Sequence, residues 1–325
     1  MSKDIWVYAE TVDGRLSETV PELLTKAVEL SGKLGGRVAA VLTGSAGAEV
    51  EKTLSDYGAQ AVIIAESEAL ASYSARNYAD ALTQLCRKYE PSIFLFPAGP
   101  IGYEVAPLVM CALGTGLTAD AIDHFVDEDG DFMQTTPGFG GSILAHICIG
   151  EKRPQMVTVR PKVFEPRLAA GKPAAERIVE PVSCEADEAY ELLEVLHGQG
   201  VGAGLKDTKV VVACGRGVKK QEDLELMRRF ADRIGGVLAC SRPLVDCGWL
   251  PHELQIGQSG CTVKADVIIN IGISGSTQYL AGMQNSKCII SINTNESAPI
   301  MAASHYSLAA DYRKLIPALL AKLGG

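Results

Sequence analysis

Between Val210 and Leu320, polar and glycine-rich clusters follow one short apolar run after another, and this layout constrains the fold more than any single motif. The clusters read Gly215-Arg216-Gly217, Ser241-Arg242-Pro243, Gln255-Ile256-Gly257-Gln258-Ser259-Gly260, and Gly272-Ile273-Ser274-Gly275-Ser276-Thr277-Gln278-Tyr279, with Asn293 and Asp311 further on. The runs Lys209–Ala213, Gly236–Cys240, Asp266–Ile271 and Cys288–Ile292 read as buried strands. Gln221–Ile234 and Tyr312–Leu323 read as helices. Strands alternating with helices predict a parallel sheet, and ligands of open parallel sheets gather outside the carboxyl ends of the strands. The clusters therefore predict one long phosphorylated ligand lying across several strand ends.

The first half repeats the alternation. Ile5–Ala9, Val38–Leu42, Ala61–Ala65 and Ile93–Pro97 are strand candidates, separated by helical patterns over Val20–Leu34, Ala48–Tyr57 and Tyr73–Tyr89. Leu23, Leu24, Ala27, Val28, Leu30 and Leu34 form one apolar helix face. From about Ala121 the texture changes. Asp127–Asp131 reads as a turn between strand-like Ile122–Val126 and Phe132–Thr136, and Ser142–Ile149 and Met156–Val159 follow. These segments predict an antiparallel extension. Pro161–Leu205 carries prolines, charges and one short helical pattern around Glu188–Leu196. Gly198, Gly200, Gly202 and Gly204 then predict a hinge. The expected fold class is α/β in two domains: an N-terminal parallel domain with an antiparallel extension over 1–190, a hinge over 191–205, and a C-terminal doubly wound domain over 206–325.

A chain of 325 residues suits two domains. A net charge of −9 argues against nucleic acid or anionic membrane as the main partner. No apolar run reaches the roughly 18–20 residues of a membrane span, and the first residues lead directly into a strand pattern. The nine cysteines form no Cys-x-x-Cys pair, which fits a reducing compartment and a cytoplasmic location. The five histidines show no metal spacing, so no metal is expected.

Each cluster has a job if a dinucleotide lies across these strand ends. Glycines 215, 217, 272 and 275 would let backbone approach phosphate closely. Ser274, Ser276 and Thr277 precede a helical pattern, whose free N–H groups favour an anion. Arg216 and Arg242 would supply charge-assisted bonds, and Asn293 and Asp311 suit ribose or adenine groups. Each residue also has a structural reading: a turn glycine, a solvated arginine, a serine that only caps a helix. Gly215-Arg216-Gly217 is followed by Val218-Lys219-Lys220, so neither a Rossmann fingerprint nor a Walker A loop is present. In the first half, Gly99-Pro100-Ile101-Gly102 reads either as a second ligand loop or as a structural turn.

The order and spacing from Val212 to Leu320 resemble the flavin-binding domain of the electron transfer flavoprotein alpha subunit. The resemblance extends into the first half through Gly116-Leu117-Thr118-Ala119-Asp120 and Arg153–Pro161. It implies FAD as cofactor and a heterodimer with a beta subunit. Arg216 would then lie over the isoalloxazine ring, with Ser241, Arg242, Ile256, Gly257, Gln258 and Ser259 along the flavin. Ser274, Gly275, Ser276, Thr277, Gln278 and Tyr279 would hold the pyrophosphate and the ring's pyrimidine edge; Asn293, Asp311 and neighbouring Tyr312 would take the adenosine end. Two positions depart from the family pattern. Ser259 stands where threonine is usual and keeps a hydroxyl able to bond flavin N5. Tyr279 stands where histidine is usual. A neutral phenol donating to the flavin C2 carbonyl would stabilise the one-electron-reduced anion less than a cationic imidazole, by on the order of 40 mV.

The resemblance implies an electron carrier that transforms no metabolite itself and joins an oxidoreductase complex. Its expected partners are the beta subunit and a flavin dehydrogenase of the acyl-CoA dehydrogenase type. In a flavin-based electron bifurcation variant, NADH and ferredoxin act through the partner subunit. A nicotinamide-dependent dehydrogenase and a non-redox nucleotide-binding module remain the alternatives, and only the flavoprotein predicts a yellow protein.

Overall fold

The chain divides into two compact units, Met1–Val195 and Leu196–Gly325. The computed structural model describes residues 2–45, 47–138, 143–169, 171, 173–185, 193–194, 205 and 208–324. The hinge glycines and nearly all of the helical pattern at Glu188–Leu196 lie outside the described residues.

In the first unit the chain runs β1 (Ile5–Tyr8), a small hairpin of β2 (Thr11–Val12) and β3 (Arg15–Leu16), α1 (Thr19–Leu34), β4 (Val38–Thr43), α2 (Ala48–Asp56) and β5 (Ala61–Glu66). It continues through α3 (Ala75–Tyr89), β6 (Ile93–Pro97), α4 (Pro100–Leu113) and β7 (Leu117–Ala121). Then come β8 (Asp123–Val126), β9 (Phe132–Gly138), β10 (Ile143–Ile147), β11 (Gln155–Val159) and β12 (Glu176–Pro181). Seven strands form one parallel sheet in the order β12-β5-β4-β1-β6-β11-β7. Strands β8, β9 and β10 form a separate antiparallel sheet.

The period of two in a strand divides the core into two layers. Ile5 and Val7 of β1 share a cluster with Leu23, Leu24 and Leu30 of α1 and Leu54 of α2. Trp6 and Tyr8 share the opposite one with Leu82 and Leu85 of α3 and Val105 and Val109 of α4. A sheet covered on both faces needs strands that are apolar throughout, and β1, β4 and β6 are buried at every position. Removing one such side chain, as in Leu23→Ala, costs about 2–5 kcal/mol. Helix ends follow local chemistry: Ser74 caps α3 by accepting from the Asn77 N–H, and α1 stops at Gly35 with φ 75°.

The second unit runs β13 (Val210–Cys214), α5 (Asp223–Arg233), β14 (Val237–Cys240), α6 (Arg242–Asp246), β15 (Val267–Ile271) and α7 (Thr277–Leu280). It closes with β16 (Cys288–Asn293), α8 (Pro299–Ala302), β17 (Tyr306–Ala309) and α9 (Tyr312–Lys322). Its five strands are parallel in the order β14-β13-β15-β16-β17. The winding reverses between β13 and β15, which makes that boundary the switch point of the sheet.

Three features depart from the sequence expectation. Met156–Val159 does not belong to the antiparallel extension: β11 lies inside the parallel sheet, between β6 and β7. All five of its residues are buried, as a central parallel strand requires. The stretch after Pro161 contains an edge strand, β12, paired to β5. A further edge strand, β17, follows α8 and pairs with β16.

Candidate functional site

All five strands of the second sheet point the same way, so their carboxyl ends form one edge, and the sequence clusters lie along it. Backbone hydrogen bonds continue the ladder beyond the strands: Ser241 N–H to the Cys214 carbonyl at 2.9 Å, Gly215 N–H to Ile271 at 2.9 Å, Gly272 N–H to Ile292 at 2.9 Å and Ala310 N–H to Asn293 at 3.0 Å. The 255–260 loop joins them through Ile256 N–H to Cys240 at 2.8 Å and Gln258 N–H to Gln278 at 2.9 Å. Five strands at about 4.8 Å spacing make an edge about 19 Å long. This is a row suited to an elongated ligand.

The glycines are required by the packing of the turns themselves. A Cβ on Gly215 would lie 2.6 Å from the Gly272 carbonyl oxygen, and one on Gly217 would lie 2.6 Å from the Gly272 Cα. Gly272, at φ +63°, would meet Gly217 in return at 2.8 Å. These three are glycine because the turns after β13 and β15 pack backbone against backbone at the switch point. Gly275, at φ +84°, is held as closely: its Cβ would lie 2.3 Å from the Ile300 nitrogen at the start of α8. The glycines thus draw the loops together, and polar groups beside them face outward.

Arg216 is exposed at the switch point and forms no ion pair among the described residues. Arg242 is exposed as well and lies 3.6 Å from Asp246 one turn along α6. Gln258, Ser259, Ser274, Ser276, Thr277 and Gln278 are exposed, whereas Ser241, Ile256 and Gly257 are buried beneath them. Ser276 caps α7, its side chain accepting from the Tyr279 N–H. Ser259 is pre-oriented by a residue that sequence reasoning gave no separate role: Gln255, only 2% exposed, donates from Nε2 to Ser259 Oγ at 3.0 Å. That bond leaves the Ser259 O–H free to donate outward.

Tyr279 breaks the expected pattern. Its phenol is 4% exposed and donates to Asn270 Oδ1 at 2.5 Å. Asn270, on β15, donates in turn to Ser291 Oγ at 3.2 Å, and Ser304 Oγ donates to Ser291 Oγ at 2.7 Å. Burial drives the phenol far above its ordinary pKa, so it stays a neutral donor tied to the sheet interior. The hydroxyl hydrogen is engaged by Asn270, since a phenol extends far enough inward to satisfy a buried amide. Asn270 itself sits inside an apolar run, where sequence alone gave no signal.

The three residues expected at the far end are engaged structurally. Asn293 donates to the Ile273 carbonyl at 2.8 Å and accepts from the Asn295 N–H at 3.0 Å. Asp311 caps α9 by accepting from the Arg313 N–H at 2.9 Å. Tyr312 is 7% exposed and donates to Asp223 at 2.6 Å, so its side chain packs against α5. Burial pushes the Cys214 thiol up, and the Cys240 thiol beside it to about 12, so both act as small apolar fillers beneath the site. Among the described residues there is no group of three or more His, Cys, Asp or Glu able to hold a metal, and no helix long and apolar enough to cross a membrane.

The row of exposed donors, the exposed guanidinium groups of Arg216 and Arg242 and the tightly packed glycine turns fit a dinucleotide. Comparison with known proteins identifies which family uses it. The profile of the electron transfer flavoprotein domain matches residues 5–183, and that of the electron transfer flavoprotein FAD-binding domain matches residues 204–284. The chain is 36% identical over 322 residues to the electron transfer flavoprotein subunit alpha of Thermoanaerobacterium thermosaccharolyticum, covering 99% of this chain and 98% of that protein. It is 38% identical over 321 residues to protein FixB of Clostridium saccharobutylicum, covering 98% and 96%. It is also 37% identical over 324 residues to lactate dehydrogenase (NAD(+),ferredoxin) subunit LctC of Acetobacterium woodii, covering 99% of this chain and 77% of that one. With matches that span both units from end to end, the chain belongs to the electron transfer flavoprotein family as an alpha subunit, with FAD as its cofactor.

Proposed function

We propose that the protein carries electrons through one FAD laid along the carboxyl edge of the second sheet. The observation that supports this reading best is the run of polar groups, most of them exposed, along five hydrogen-bonded strand ends. Bound FAD supplies reversible one- and two-electron chemistry; the chain holds and tunes it. Arg216, at the switch point, would help hold the isoalloxazine ring and offset negative charge on it. Ser259, aligned by Gln255, would donate its hydroxyl hydrogen to the ring. Ser274, Ser276, Thr277 and Gln278 would hold the pyrophosphate with hydroxyl and backbone N–H groups. Asn293 and Asp311 flank the adenosine end, and Tyr279 acts through its backbone while its phenol braces the sheet.

Alpha subunits of this family pair with a beta subunit, and the first unit serves as the platform for that partner, with residues 191–205 as the linker between units. Electrons pass between the beta subunit and a flavin dehydrogenase. The likeness to a subunit of an NAD(+),ferredoxin lactate dehydrogenase favours the bifurcating arrangement, in which NADH and ferredoxin engage the partner subunits. A dehydrogenase of the acyl-CoA type is the expected redox partner, and co-purification from the native cell distinguishes it from a 2-hydroxy-acid dehydrogenase. Reconstitution with the beta subunit and FAD tests the core of the proposal. Visible flavin bands that disappear with Arg216→Ala combined with Ser274→Ala support it, and a colourless wild-type complex in excess FAD contradicts it.

A further inference from the structure

A chain of hydrogen bonds starts at one end of the 274–279 loop, runs beneath it and returns to the other end. Tyr279, in α7, donates to Asn270 Oδ1 at 2.5 Å. Asn270, in β15, donates from Nδ2 to Ser291 Oγ at 3.2 Å. These two are register partners across β15 and β16, and both are buried. Ser304, just past α8, carries the chain onward: its Oγ lies 2.7 Å from Ser291 Oγ and 2.7 Å from the Ile300 carbonyl oxygen. Ile300 leads back to the loop, its N–H donating to the Ser274 carbonyl at 3.1 Å. Ser274 and Tyr279 are thus tied to each other through β15, β16 and α8.

The loop has little else of its own to fix its shape. Helix α7 spans four residues, too few for its backbone bonds to hold it in water unaided. Between 274 and 279 only Gly275 and Tyr279 are buried, and the other four residues are exposed. Gly275 packs on Ile300, where its Cβ would lie 2.3 Å from the nitrogen. Both inward-facing residues therefore meet the same chain of bonds. Asn270 interrupts the apolar strand Val267–Ile271, where a polar side chain costs free energy unless it is bonded. An aliphatic residue there would pack the Tyr279 ring yet let it slide, whereas the amide accepts the phenol at one place only. A fully satisfied buried network holds its members in a single arrangement.

We propose that Asn270, Ser291 and Ser304 are positioning residues for the cofactor, on the reading above that the 274–279 loop holds the pyrophosphate of FAD. With Tyr279 they form one circuit that keeps the loop in its gripping shape. Asn270 and Ser291 lie beneath the loop and act through it, not on the ligand. Bonds in series have a particular property: one cut anywhere opens the whole circuit.

The rate of FAD release tests this, followed by flavin fluorescence on the full-length chain in complex with a wild-type beta subunit. Tyr279→Phe and Ser304→Ala cut the circuit at its two ends. Each is expected to speed release by about 3–10-fold, the worth of one neutral hydrogen bond. The double variant should show that same factor and not the product of two. Asn270→Leu combined with Tyr279→Phe removes both partners of the 2.5 Å bond and leaves neither orphaned. Its urea midpoint without FAD should stay close to the parent's, while FAD still leaves about 3–10-fold faster. Single effects that multiply overturn the proposal, as does release that quickens only in proportion to lost stability. A yellow parent whose variants release FAD at its own rate contradicts the positioning role alone. A parent complex without flavin bands contradicts the FAD reading itself, and the positioning role with it.

Discussion

At the scale of single residues, the buried polar groups make the sharpest predictions. Tyr279→Phe keeps the ring and removes one hydroxyl, leaving Asn270 Oδ1 without the donor it has at 2.5 Å. An orphaned buried acceptor costs about 1–3 kcal/mol. Urea unfolding of the FAD-free protein should register that loss, and an unchanged midpoint would mean that the bond contributes nothing. In the first unit, Glu10 and His124 titrate in opposite senses. Burial pushes Glu10 from 4.5 up to about 7, against the lowering pull of the Gly102 N–H. The stability it contributes is therefore complete below about pH 4.5 and lost as pH rises through 7. Burial, helped by Lys26, pushes His124 from 6.5 down to about 4. Its contribution is complete above about 6.5 and lost as pH falls through 4. Each group spans about 3 kcal/mol as an upper bound, and between pH 4.5 and 6.5 the two slopes oppose each other. Relative to wild type, Glu10→Gln should gain stability as pH rises toward 7, and His124→Phe should gain it as pH falls toward 4. Chemical unfolding at a series of pH values checks both, and parallel profiles for all three proteins would refute the assignment.

At the scale of elements, the turns after β13 and β15 decide whether a site exists at all. Gly275→Ala combines a positive φ with a Cβ 2.3 Å from the Ile300 nitrogen. It should cost about 1–3 kcal/mol and lower FAD affinity by displacing Ser274 and Ser276; calorimetric titration with FAD alongside unfolding separates the two effects. Arg216→Ala touches no packing. It should weaken FAD binding by about 10–100-fold, the worth of one charged hydrogen bond, with the unfolding midpoint unchanged. The strands bearing these turns were legible because apolar runs such as Val210–Cys214 and Cys288–Asn293 are bounded by glycine or polar residues. Strand β12 was not legible. It carries Glu176, Arg177, Glu180 and Pro181, and only an edge strand tolerates so many charges and a proline. Strand β11 had the right apolar text, but its partner β6 lies some 60 residues earlier, a pairing that local pattern does not encode. The site residues divide the same way. Arg216 and Ser274 announce themselves beside glycines, whereas Gln255 and Asn270 act through contacts that exist only once the loops are folded together.

At the scale of the whole molecule, the chain uses one sheet architecture twice and treats its two switch points differently. Between β13 and β15 the turns are glycine-tight and edged with exposed donors. Between β1 and β6 the space holds the buried carboxylate of Glu10. The sequence carried the first of these plainly, as a run of clusters. It concealed the second, since a lone glutamate between Ala9 and Thr11 is indistinguishable from a surface charge until the sheet order is known. The central claim is that FAD occupies the second switch point and no nucleotide occupies the first. Hydrogen–deuterium exchange of the complex with its beta subunit, with and without FAD, tests it most directly. The account predicts slowed exchange at residues 215–217, 256–260 and 272–279, with no change at 99–102; protection at 99–102 with none at the other three segments would contradict it.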